Sequence, residues 1–210
     1  MRFVQTPPRA EIRRRLPRLL LGLELCGTGL ALIIAGDLGL DSWDVFHQGV
    51  SEHTGISIGV VSILVGFAMF GFSIPLGEQV GLGTLLNVLL IGATIDLVLW
   101  PLDTPEQAWL QWVFLVGGTV LFGVGSGFYI GAGLGPGPRD GLMTGLAKRG
   151  LKVGWVRTGI ELTILLLGWL LGGSVGIGTL LFAVSIGPLV AFFLPRLSLA
   201  PVPTTTLEAY

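Results

Sequence analysis

Two polar stretches hold most of the residues that could do chemistry. The first, GDLGLDSWDVFHQGVSEHT (36–54), contains Trp43, Asp44, His47 and Gln48; the second, AGLGPGPRDGLMTGLAKRGLK (132–152), contains Arg139, Asp140 and Thr144. A carboxylate near the first turn of a short helix is favoured by the helix dipole, and the same N-terminus, helped by arginines, favours an anionic group on a ligand. Asp44, Asp140 and Glu161 are alternatively suited to carrying a coupling proton. Asn87, Arg157 and Glu161 lie within apolar runs, where a charge costs at least about 2.5–3.5 kcal/mol and normally faces a cavity or a partner. These ten residues are the candidate substrate-binding set, with anion recognition preferred over proton coupling. Arg157 and Glu161, four apart on one helix face, could instead satisfy each other.

The elements that position them are written twice. Gly39, Asp44 and Gly49 recur as Gly135, Asp140 and Gly145 at a constant offset of 96 (135 − 39, 140 − 44, 145 − 49), and Leu25, Gly27 and Gly29 recur as Leu121, Gly123 and Gly125. Downstream the offset becomes 95, with GLGTL (81–85) falling on GIGTL (176–180). Self-similarity at a fixed spacing marks a duplicated unit. Its glycines, Gly27, Gly29, Gly123, Gly125, Gly127 and Gly131, are expected to let the first helix of each copy approach the other closely.

With 51% hydrophobic and 12% charged residues, 34 glycines and a mean hydropathy of +0.82, the composition is that of an integral membrane protein. Six apolar runs, at about 18–36, 57–76, 82–101, 109–132, 153–173 and 175–195, each approach the roughly 20 residues that cross the hydrocarbon as helix. The expected fold is therefore all-α and integral to the membrane: six transmembrane helices in two three-helix repeats, residues 18–101 and 109–195. A basic arm (1–17) precedes them and a tail (196–210) follows. Each first span is followed by a short helix, about 41–53 and 138–149. An odd number of spans per copy inverts the second copy relative to the first, as in many secondary transporters. Asp41 or Ser42 would cap the first short helix, and Pro138 suits the first turn of the second. The two short helices either re-enter the membrane around a central cavity or lie flat at its interfaces.

All twelve Lys and Arg residues fall on one side of such a model, which predicts that both termini are cytoplasmic. Nucleic-acid binding is not expected of the basic N-terminus. No HExxH or phosphate-loop motif occurs, and Cys26 has no cysteine to pair with, so no enzyme activity, cofactor or metal is expected.

At LGLDSWDVFHQGV and LGPGPRDGLMTGL, within six spans, the chain resembles the bacterial YczE/YitT-like integral membrane proteins, YczE-like members most closely. The resemblance runs from Arg18 to Arg196 and implies a six-span inner-membrane protein for which transport or export is commonly supposed. The expected function is a small-solute transporter or channel-like permease, its partners the lipid bilayer and a small-molecule or ion substrate. A substrate-binding subunit of a larger transporter and an accessory protein to a membrane-associated biosynthetic system remain as alternatives, and a homodimer stays open.

Overall fold

The computed structural model describes residues 9–73, 76, 81–135, 137–139 and 153–199. Among these the chain is helical with no strand: α1 (Arg9–Gly36), α2 (Ser42–Thr54), α3 (Ile58–Ser73), α4 (Leu82–Leu99), α5 (Ala108–Gly131), α6 (Val153–Leu170) and α7 (Ile177–Leu197). Four of them, α1, α4, α5 and α7, are long and apolar enough to cross a membrane, and α2 with α3, bent by 115°, would count as a fifth if the pair is one span. The runs at 57–76 and 153–173 correspond to α3, of 16 residues, and to α6, which starts where the described residues resume. Asp140, Thr144 and all but the start of the helix expected at 138–149 lie outside the described residues.

α1 begins earlier than the apolar run predicts. Arg9–Pro17 extends it as helix, because the segment is rich in good helix formers and Arg15 pairs with Glu11 one turn back at 3.3 Å, which offsets part of the cost of Pro17. The basic residues also close other helices: Arg15 donates to the carbonyl of Ala132 (3.5 Å), just past α5, and Arg18 to that of Leu197 (3.0 Å), the last residue of α7. Cations are favoured at these ends, where carbonyls lack helical partners.

α1 and α5 form the central seam. A methyl group built on Gly22 would lie 2.7 Å from the carbonyl oxygen of Gly125, and one on Gly125 2.6 Å from that of Gly22; Gly29 and Gly118 stand in the same relation, at 2.6 and 2.5 Å. The seam is therefore antiparallel and backbone to backbone. Gly29 and Gly125 meet there as the sequence predicts, whereas Gly27 packs on Thr94 of α4 and Gly123, Gly127 and Gly131 pack on α7 and Ser198 just beyond it. Helical rotation explains the split: positions two apart on a helix face different neighbours, whereas positions seven apart share a face.

A second contact is made twice. The amide of Gly178 donates to Leu38 at 2.7 Å and that of Gly83 to Leu134 at 2.9 Å. The adjoining glycines, Gly39 (φ 104°) and Gly135 (φ 131°), adopt backbone angles that side chains rarely tolerate. Each lies against the start of a helix in the other half of the chain: Gly39 against Gly176 and Thr179, Gly135 against Gly81 and Thr84. Thr84 and Thr179 in turn accept from the amides of Gly81 and Gly176, both at 3.2 Å, closing the first turns of α4 and α7.

Candidate functional site

α2 is held by its ends. Asp41 is its N-cap, its Oδ1 accepting from the amide of Asp44 at 2.6 Å, and Gly55 closes the other end at φ 73°. Gly168 and Gly173 bring α6 and the turn after it against the backbone of Val45 and Phe46. Gln48 accepts from the amide of Ser174 at 2.7 Å, fastening the same turn. α3 is anchored separately: both oxygens of Asp96, on α4, take donors at its start, Ser57 Oγ at 2.5 Å and the amide of Gly59 at 2.8 Å.

Between α2, α6 and the seam lies a cavity of about 400 Å³. Its polar side is formed by Asp41, Ser42, Trp43 and His47 from the start of α2, Arg139 from the segment after α5, Arg157, Thr158 and Glu161 from α6, and Asn87 from α4. Its other walls are largely apolar, with Leu30, Val88, Ile91, Phe122, Phe182, Ile186 and Val190 among them. The polar side is knitted together. Asp41 Oδ2 accepts from Arg139 at 3.3 Å, and the guanidinium carbon lies 5.1 Å from the centre of the Trp43 ring. Glu161 reaches across from α6, accepting from Ser42 Oγ and, at 3.4 Å, from Trp43 Nε1. Trp43 thus stacks on a cation and donates to an anion, which fixes the ring between two elements.

Of the residues singled out in the sequence, Trp43, His47, Asn87, Arg139, Arg157 and Glu161 line this one cavity. Asp44 does not. It is buried behind the wall, 2.9 Å from His47 Nδ1, and sets the orientation of that ring. Gln48 serves the turn at Ser174 instead. Asp41, Ser42, Ser126, Tyr129 and Thr158 line the cavity without having been singled out as binding residues. Asp41 was legible only as a cap; that its second oxygen takes an arginine 98 positions away has no local signal. Among the described residues no group of three or more His, Cys, Asp and Glu side chains could hold a metal ion.

An all-helical bundle of apolar helices around a charged, partly apolar chamber defines a membrane protein with an internal polar site. Residues 13–195 match the family described as "Family of unknown function (DUF6198)", and the chain belongs to it. It is 40% identical over 178 residues, 83% of each chain, to the "Uncharacterized membrane protein YczE" of Bacillus subtilis. It is also 40% identical over 184 residues, 87% of this chain and 84% of the relative, to an "Uncharacterized protein" of Haemophilus influenzae. The B. subtilis protein YyaS is 27% identical over 183 residues, 83% of this chain and 90% of the relative. No solved structure matches.

Proposed function

We propose that this protein is a small-solute permease of the bacterial cytoplasmic membrane, without enzymatic activity, whose solute site is the cavity between α2 and α6. The observation that carries the reading is that six polar or charged residues scattered from 43 to 161 converge on one chamber of about 400 Å³, in a bundle of largely apolar helices. Ionisable groups among apolar helices are costly and mark solute or ion pathways by default. A chamber of this size suits a small organic molecule.

The proposal includes two inverted halves and six spans with both termini cytoplasmic. Its support lies in the reciprocal contacts. Gly22 faces Gly125 and Gly29 faces Gly118, and with a repeat of 96 these are one contact read in both directions (118 − 22, 125 − 29). The exchange of Leu38 and Leu134 between the starts of α7 and α4 follows the same rule. A two-fold axis crossing an antiparallel pair of spanning helices lies in the membrane plane, which is the geometry of alternating access.

The test is access from both sides. A cysteine placed at Thr158, or at Ser62 on α3, lines the chamber, while native Cys26 is buried and silent. In oriented membrane vesicles, membrane-impermeant methanethiosulfonate reagents are expected to label each site from either face. Labelling from one face only, or from neither, contradicts a permease.

A further inference from the structure

His47 Nε2 is the one buried side-chain nitrogen or oxygen among the described residues that has no hydrogen-bond partner. The residue is 1% exposed and lines the cavity. Its Nδ1 lies 2.9 Å from Asp44, which stands behind the wall, so Nε2 is the ring nitrogen left without a protein partner in a residue that lines the chamber. With Asp44 ionised, Nδ1 holds the ring proton and donates it to the carboxylate, and Nε2 is left as an acceptor. A buried acceptor without a donor is disfavoured, so this nitrogen calls for a donor from whatever enters.

The surrounding charges say what kind of donor. Facing or backing the imidazole are Asp44 on its own helix, Asp41 at the cap, Arg139 after α5, and Arg157 and Glu161 on α6; α3, the other helix packed on α2, carries no charged residue. While His47 is neutral, three carboxyl groups stand against two guanidiniums among the described residues. Arg139 is already engaged by Asp41 and by the face of Trp43, so an anion would have to break that arrangement. A cation completes it.

We propose that the cavity takes a protonated primary or secondary amine on an apolar body: its N–H donates to His47 Nε2, and its hydrocarbon lies against Phe122, Phe182, Ile186 and Val190. A proton on Nε2 competes for the same position. When His47 starts protonated, the ammonium takes the place of that proton, which leaves to water, and no other bond is made or broken. This names the solute class of the chamber described above; it rests on the chamber being a solute site and does not require that the solute be carried across.

The experiment is calorimetric binding to the purified full chain in lipid nanodiscs. The probes are 2-phenylethylammonium, its N,N,N-trimethyl analogue, which has no N–H, and 3-phenylpropanoate. The primary ammonium is expected to bind at least about tenfold more tightly than either of the others. On the acid side of the His47 titration its affinity should rise about tenfold per pH unit, with up to one proton released per molecule bound. His47→Gln keeps an acceptor but cannot take that proton, so binding should persist without pH dependence or proton release. Tighter binding of the carboxylate, equal binding of the trimethyl analogue, or unchanged pH dependence in His47→Gln overturns the proposal. Should that variant fail to fold, proton release from the wild-type protein decides, read with a pH dye in weakly buffered solution, and none on the acid side overturns it. Failure here with two-sided labelling of Thr158→Cys removes the amine and leaves the permease; binding here with one-sided labelling removes the permease and leaves the site.

Discussion

The α1–α5 seam and the chamber beside it are neighbours built on opposite rules. At the seam, backbones meet at Gly22, Gly29, Gly118 and Gly125 with no room for a methyl group, and Cys26, in the middle, is fully buried with its sulfur 3.7 Å from the carbonyl oxygen of Phe122. In the chamber wall, long side chains hold elements apart: Glu161 spans from α6 to Ser42 and Trp43, and Arg139 spans to Asp41. In lipid, where apolar side chains gain little by leaving the solvent, close backbone packing stabilises the first region. In the second, charges that pair with one another offset part of the cost of their burial and border a cavity of about 400 Å³.

Substitutions should separate the two. Gly125→Leu is expected to have the largest effect, since its side chain would enter the backbone of Gly22 and Cys26; overpacking of this kind costs about 3 kcal/mol, and the variant should be lost from detergent-extracted, size-exclusion-pure protein. Asp41→Ala comes next. It removes a cap worth about 1 kcal/mol and also strips Arg139 of its carboxylate, so thermal unfolding in detergent should fall clearly. Asp41→Asn keeps the cap and loses the ion pair, and the difference between the two variants isolates the cap. Asp96→Asn should loosen the start of α3 by about 1 kcal/mol, visible as faster amide exchange near Gly59 with the chamber unaltered. Gln48→Leu should be mildest, about 0.5–1 kcal/mol, confined to the turn at Ser174. If Gly125→Leu were tolerated while Gln48→Leu was not, the contrast between seam and chamber would be wrong.

The helical regions were largely legible because their causes are local. Apolar runs at 82–101 and 109–132 became α4 and α5, and the short helix expected at 41–53 is α2, Ser42–Thr54, capped by Asp41. The seam was half legible: glycine recurrence pointed to Gly29 and Gly125, but which glycines face which neighbour depends on helix rotation, and Gly22 and Gly118 were passed over. The candidate site was legible in its residue types more than in its roles. Asp44 and His47 belong together, yet only the fold shows that one wall position is His47 and that the carboxylate stands behind it. The bend of 115° between α2 and α3 depends on contacts with α4 and α6, which no local pattern encodes.

The most direct measurement uses the native chain in lipid nanodiscs: hydroxyl-radical footprinting, which modifies side chains beside bound water. Trp43 and Met69 line the chamber and Cys26 lies in the seam, all three 6% exposed or less, so exposure to bulk solvent does not distinguish them. A solvated chamber beside a dry seam predicts modification of Trp43 and Met69 while Cys26, chemically the most reactive of the three, stays unmodified. Trp43 and Met69 as silent as Cys26 would mean that no water-filled site exists between α2 and α6.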